Sequence, residues 1–489
     1  MKHICLGSMS LWLLPVGIAW AAEGAHSDPV APVILGVTGI LVFAVMGRYV
    51  SRRFHQPTVL GELIVGIALG NLVYLLGGDF ILALREGTGL FDIVDLTLSG
   101  LSLDEAARQR IADPEVAQKM VEILQGPHGG QLLGIAHTID IFSRYGVIFL
   151  LFLVGLESSV EEMRTAGLPS LRVAMVGMFT PFILGLMVAW VASPDHSLGA
   201  LLFIAATLGA TSVGITARVL SELDVLRSRE ASIILGAAIF DDVLGLISLA
   251  IVSGIVVSGS LQGDVIAQIL ALSALFVVAS LYGGPFILRA LIHSMRDMAF
   301  AEAKIFVSFI FVMGLSWFAD LVGLATIIGA FAAGLIMNDC YFRDWEKECS
   351  HSAVTIKSLM APLEAILVPI FFVLIGMQVK LESFLSVDVI VFAGGLTVAA
   401  IIGKLASGYF AGRGLNHLAI GLGMMPRGEV GLIFASIGKA LGVINSQLFS
   451  SIVLMVVITT VIAPSLLKYA LRRGVCENGA NEAGTGQQS

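Results

Sequence analysis

Charge is what this 489-residue sequence has least of. Lys, Arg, Asp and Glu make up 13% of it, against 57% hydrophobic residues and a mean hydropathy of +0.93. A soluble domain carries roughly a quarter charged residues, so a water-soluble globular chain is excluded. The formal net charge of -8 says little about partners, and no nucleic acid is expected among them. Cysteine is sparser still, at four: Cys5, Cys340, Cys349 and Cys476. The first lies in the N-terminal apolar segment and the others in segments assigned below to the cytoplasm, so no structural disulfide is expected. The spacing of Cys340 and Cys349 is not a zinc pattern. No nucleotide loop, metal-ligand cluster or nucleophile-base arrangement occurs outside the apolar stretches, so neither an enzyme nor a cofactor is expected. His128 and His137 read as solvated side chains rather than metal ligands.

What the sequence has in quantity is apolar runs, with 54 glycines among them. Crossing the hydrocarbon of a bilayer takes ~20 apolar residues. Thirteen such stretches occur, near 33–50, 58–77, 139–156, 169–192, 198–219, 230–257, 264–290, 302–319, 322–338, 358–378, 387–410, 415–440 and 447–471. They predict an all-α polytopic membrane protein of about 13 transmembrane helices, surrounded by lipid, spanning residues 22–472. Ahead of them, Lys2 and His3, an apolar run from Ile4 to Ile18 and the small-residue site Ala19-Trp20-Ala21 have the layout of a signal peptide over 1–21, or of an uncleaved first helix.

Lys and Arg fix the expected orientation. The set of short loops and ends that begins with Arg48, Arg52 and Arg53 carries eighteen of them; the opposite set carries Lys380 and Lys439. The mature N-terminus is therefore expected outside and the C-terminus in the cytoplasm of a cell inner membrane. One long segment, 78–138, is expected outside, with Asp104 to Leu124 as an amphipathic helix lying at the surface. Residues 473–489 are expected to form a short structureless tail.

The chain also repeats itself. Leu151-Phe-Leu-Val-Gly-Leu-Glu157 in the third stretch echoes Phe372-Val-Leu-Ile-Gly-Met-Gln378 in the tenth. Glu62-Leu-Ile-Val-Gly66 in the second echoes Ala325-Thr-Ile-Ile-Gly329 in the ninth. Stretches 1–6 map onto 8–13, with the seventh as linker. The paired stretches run in opposite directions, so the halves are inverted repeats, an arrangement of transporters that places the substrate near the membrane midplane.

Ionisable residues inside hydrocarbon cost ~2.5–3.5 kcal/mol each on insertion scales and so mark function. Asp241 and Asp242 fall in the middle of the sixth stretch. Two carboxylates in low dielectric resist being ionised together, which suits a site that holds either a proton or a cation. Lys404, inside the eleventh stretch, is the complementary charge; it either pairs with one of the aspartates or reaches along its own helix to the interface. Two stretches look broken at matching positions, Gly209-Ala-Thr-Ser-Val-Gly-Ile-Thr216 in the fifth and Gly423-Met-Met-Pro-Arg-Gly-Glu-Val-Gly431 in the twelfth. Unwound backbone there offers carbonyls, and Thr211 and Ser212 offer hydroxyls, to a hard cation. Thr211 reads equally as a helix-bonding hydroxyl. Arg427 and Glu429 read as compensation for half-helix dipoles, and Glu62 and Glu157 as structural or gating residues near the cytoplasmic ends of their helices.

Asp241-Asp242, Lys404, Thr211-Ser-Val-Gly-Ile-Thr-Ala-Arg218, Phe152-Leu-Val-Gly-Leu-Glu157 and Pro426-Arg-Gly-Glu-Val-Gly431 together resemble the monovalent cation:proton antiporter-2 family of bacterial sodium/proton antiporters and Kef-type potassium transporters. The resemblance covers residues 33 to 472. It implies crossed broken helices and a homodimer in which a six-helix core carries the ion past a dimerisation domain. It also implies Asp242 as the ion-binding aspartate, Asp241 as the partner of Lys404, and electrogenic exchange of Na⁺ (or Li⁺) for H⁺, with Arg218 a gating or structural residue. Two readings stay open beside it: K⁺/H⁺ exchange, and an uncoupled sensor or channel-like protein of the same fold. The sequence departs from the family in lacking a C-terminal nucleotide-binding domain, in its long segment 78–138, and in Gly70-Asn71 where Gly-Pro is common.

Overall fold

A computed structural model describes residues 30–485 except 55, 76–83, 86–87, 112–113, 127–128, 158–159, 193–196, 213–215, 217–219, 221–224, 226–227, 259–262, 343–344 and 346–353. The N-terminal segment read as a signal peptide lies outside the described residues. The rest is helical because apolar sequence in lipid must satisfy its own backbone. In order come α1 (Ala31–Arg53), α2 (Thr58–Leu75), α3 (Thr88–Leu98), α4 (Leu103–Arg110), α5 (Pro114–Gln125), α6 (Gly129–Glu157), α7 (Val160–Ala192), α8 (Leu198–Gly209) and α9 (Arg229–Ser258). They are followed by α10 (Gly263–Ser294), α11 (Phe300–Leu321), α12 (Thr326–Ile336), α13 (Ile356–Met377), α14 (Val387–Gly408), α15 (His417–Gly423), α16 (Glu429–Ala440) and α17 (Ser446–Thr485). Among the described residues, eight of these (α1, α6, α7, α9, α11, α13, α14 and α17) are long and apolar enough to cross a membrane, and α2, α8, α12 and α16 contain shorter apolar helices.

The helices gather into two bodies. A scaffold is built from α1, α2, α6, α11, α12 and α13; a core is built from α7, α8, α9 and α14 to α17. α10 lies between them, against α9 on one side and α11 and α12 on the other.

The glycines of the repeated motifs are the seams of the scaffold. A Cβ on Gly66 would sit 2.3 Å from the Val373 carbonyl, and one on Gly376 would sit 2.3 Å from the Leu63 carbonyl, so α2 and α13 touch backbone to backbone. Gly155 and Gly334 do the same for α6 and α12, at 2.3 Å from Phe331 O and 2.0 Å from Phe152 O. One seam joins the second stretch to the tenth, the other the ninth to the third. That is the exchange of partners two inverted copies would make.

The expectation for residues 104–124 gives way. The surface helix expected over 104–124 is instead two helices. Ser102 caps α4 through a capping box with Glu105, and Pro114 opens a separate α5, since the ring of a proline bars the preceding residue from helix. Nor does this segment lie loose on a surface. Ala106, Ala107, Ala117 and Met120 share one apolar cluster with Ile40 of α1, Ile139 of α6 and Ile370 of α13, so the segment forms a cap seated on the scaffold. At the other end α17 runs on to Thr485, through residues expected to be structureless. A helix already nucleated in its apolar part extends at little cost.

Candidate functional site

Asp241 and Asp242 stand midway along α9, both buried, at 1% and 9% exposure. Lys404 comes from α14 and is fully buried. It does not reach for the interface: its Nζ lies 3.1 Å from Asp241 Oδ2 and 3.3 Å from Oδ1. The ammonium has room because α7 presents no side chain there. A Cβ on Gly177 would stand 3.4 Å from Nζ, and the residue before Lys404, Gly403, lets α14 close down on α7 at Pro181. The Ser407 hydroxyl donates to the Lys404 carbonyl at 2.7 Å.

The two helix breaks meet beside this pair. After α8 ends at Gly209, the Ser212 amide donates to Pro426 O at 2.9 Å. The Thr211 hydroxyl donates to Met424 O at 3.3 Å, and the Thr216 hydroxyl donates to Gly423 O at 2.6 Å. Each unwound segment thus receives bonds that its own helix no longer makes. Arg427, fully buried, turns back on the end of α8, where Nη1 donates to Gly209 O at 3.1 Å and to Ala210 O. A guanidinium on the last carbonyls of a half-helix offsets the negative end of its dipole. The Thr460 hydroxyl of α17 donates to the carbonyl of Arg427 and fixes the break from the other side.

The sequence-derived residues therefore divide. Asp241, Asp242 and Lys404 lie together, as do Thr211, Ser212 and Arg427 at the breaks. Glu62 stands apart in the scaffold, buried in the α1–α2 hairpin, where it pairs with Arg48. Glu157 ends α6 and Glu429 opens α16; their side chains, and all of Arg218, lie outside the described residues. Sequence reasoning missed Thr216, Gly177 and Thr460. Thr216 was within reach, as the last residue of the broken motif. Gly177 and Thr460 sit in ordinary apolar helices with no local signal.

Comparison with known proteins bears on the family and the fold. The model of the family "Sodium/hydrogen exchanger, transmembrane" matches residues 40–473. The high-affinity Na⁺/H⁺ antiporter NhaS3 of Synechocystis sp. is 34% identical over 448 residues, covering 90% of this chain and 89% of the relative. The Na⁺/H⁺-K⁺ antiporter GerN of Bacillus cereus is 33% identical, over 74% of this chain and 90% of its own. Among solved structures, the sodium proton antiporter MjNhaP1 of Methanocaldococcus jannaschii aligns with a TM-score of 0.58 at 15% identity, over 92% of this chain and 98% of that one, a likeness of fold. A match along nearly the whole membrane region, and a relative this similar over nine-tenths of the length, place the chain in the sodium/hydrogen exchanger family of membrane transporters.

Proposed function

We propose that the protein exchanges Na⁺ (or Li⁺) for H⁺ across a cell inner membrane, by alternating access at Asp242. The observation that carries the reading is the buried Asp241–Lys404 pair next to a second carboxylate, where two broken helices meet. A bare carboxylate in a low-dielectric interior is strongly disfavoured. Asp242 therefore moves across only when loaded, with a proton or with a cation, and that requirement couples the two flows. The carboxylates of Asp241 and Asp242, with the oxygens of Thr211 and Ser212, form the donor set. Thr211 gives its proton to Met424 O and keeps lone pairs for a cation.

Lys404 holds Asp241 compensated while Asp242 carries the proton. A cation arriving between the aspartates repels the ammonium, and release of its proton would make the exchange electrogenic, with more than one H⁺ for each cation. The basic loops are placed in the cytoplasm, the segment 78–138 outside, and the carrier is taken to work as a homodimer. Exchange of K⁺ is the second reading, favoured by the similarity to a relative named for both cations.

Purified protein in proteoliposomes tests both, with dequenching of a pH dye on addition of Na⁺, Li⁺ or K⁺. Proton movement driven by Na⁺ and Li⁺ is expected. A response to K⁺ alone selects the second reading, and cation flux with no proton movement removes antiport. A potassium/valinomycin potential imposed on the same vesicles should change the rate of Na⁺-driven exchange; a rate indifferent to voltage leaves a one-for-one exchanger.

A further inference from the structure

The two departures on the side of the cap, Asn71 and the long segment 78–138, meet at one point in the fold. Asn71 is buried at the end of α2, and its carboxamide is fully engaged. Nδ2 donates to Ile67 O and Val379 O at 2.8 Å each, and Oδ1 accepts from Leu381 N at 3.0 Å and from Arg85 Nη2 at 2.9 Å. Arg85 belongs to the long segment, is 1% exposed, and also pairs with Glu382. Val379, Leu381 and Glu382 belong to the connection between α13 and α14, which joins scaffold to core by covalent chain. Scaffold side chains thus grip that connection at three successive points.

The core holds the same connection more lightly. The Lys380 amide donates to the Ser450 hydroxyl of α17 at 3.2 Å, and Lys439 of α16 donates to Gln378 Oε1 at 3.0 Å. Lys380 and Lys439 are the two basic residues that the sequence places in the short loops of this face. If the core moves against the scaffold, one of the two sets of bonds must part. A buried guanidinium between a carboxylate and an amide is the stronger set, and parting it would take two bonds from a buried charge. We propose that Asn71 and Arg85 are positioning residues that fix the 378–382 hinge to the scaffold, so that the core swings by parting at Ser450–Lys380 and Lys439–Gln378. The cap is then a clamp on the hinge. This rests on the alternating-access reading above.

Two disulfides separate the possibilities, in a full-length chain whose four native cysteines are serine. Asn71→Cys with Leu381→Cys ties scaffold to hinge; Lys380→Cys with Ser450→Cys ties hinge to core. Each pair joins a residue whose side chain bonds a backbone amide to the residue that carries that amide. In proteoliposomes the oxidised 71–381 protein should keep at least about half the exchange rate of its own reduced form, and the oxidised 380–450 protein should lose about tenfold and recover on reduction. Each rate is a ratio within one sample, so a poorly folding variant does not bias it. A block at 71–381, or free exchange by both oxidised proteins, overturns the proposal. Separately, Asn71→Ala should lower the maximal rate severalfold while leaving the half-saturating Na⁺ concentration and the pH profile in place. A purely structural role would lower only the yield of folded protein. The cysteine-free parent, assayed with Na⁺, Li⁺ and K⁺, tests the exchanger reading on its own. The hinge is read without transport through a single cysteine: the thiol of Ser450→Cys should change its labelling by a membrane-impermeant maleimide between low and high pH, and labelling that does not change overturns the clamp.

Discussion

Two lysines are buried among the described residues, and they are held in opposite ways. Lys304, at the start of α11, is saturated. Its Nζ lies 2.6 Å from Asp339 Oδ1 and 2.6 Å from Val354 O, with the rings of Phe300 and Phe342 at 5.5 and 5.2 Å. Asp339 is 42% exposed and also receives the Ile356 amide at 3.0 Å, so this ammonium staples a loop between α12 and α13. Lys404 has one carboxylate at 3.1 and 3.3 Å, no water-facing side, and a glycine where a neighbouring helix would otherwise press on it. A buried ammonium with several short, partly hydrated partners is an anchor. One with a single carboxylate partner at longer distances, and space beside it, is able to change partner or protonation.

The sharpest way to break this contrast is to remove the acid next to the loosely held lysine. Asp242→Asn should abolish exchange in a protein that still folds, because an amide neither releases a proton nor balances a cation. Na⁺-driven dequenching at the wild-type rate would take Asp242 out of the site. Next in size is Lys404→Ala, which leaves Asp241 buried and unpaired; breaking such a pair typically costs about 3–5 kcal/mol. Thermal unfolding in detergent should show a large drop that Asp241→Asn partly restores, and simple addition of the two losses would mean the residues are uncoupled. Lys304→Ala is expected to cost less, since the Asp339 carboxylate it frees is already part solvated, and to leave exchange per folded molecule unchanged. A loss of turnover there would erase the distinction between anchor and working group.

Gly177→Ala tests the space around Lys404. Overpacking a filled interior costs about 1–3 kcal/mol; the expected mark is a shifted pH dependence of exchange together with a modest loss of stability. The smallest effect belongs to the cap. Hydrogen bonds from Ser102, first through its hydroxyl and then its amide, hold the Glu105 carboxyl below the usual carboxylate range. A depressed carboxyl favours the fold above its ordinary pKa, and that contribution fades as pH falls through the lowered value. Ser102→Ala should raise amide exchange across α4 and remove the part that changes as pH falls below the ordinary carboxylate range, with transport untouched.

Most of this design was legible in the sequence because lipid makes it so. Apolar length marked the helices, and ionisable residues within apolar runs marked Asp241, Asp242 and Lys404. Glycine and proline at matching places marked both breaks. What stayed illegible depends on partners far along the chain. Nothing near Asn71 announces Val379 and Leu381, and nothing near Glu62 says that Arg48 neutralises it within the scaffold. The segment 78–138 was misjudged for another reason. Its helices are short and polar on one side, and the apolar surface they cover belongs to α1, α6 and α13.

The seam between α2 and α13 also bears on biosynthesis. Gly66 and Asn71 are made early, yet Gly376 and Val379 follow only after most of the chain has been translated, with 308 residues between Asn71 and its carbonyl partner. At about 5–20 residues per second, a ribosome needs roughly 15–60 s to cover that distance. For that interval α2 waits in the bilayer with a bare glycine face and a carboxamide short of its bonds to Val379 and Leu381. Newly inserted chain is therefore exposed to membrane quality control until its tenth apolar stretch arrives, and a truncation before α13 leaves a fragment for degradation rather than half a transporter.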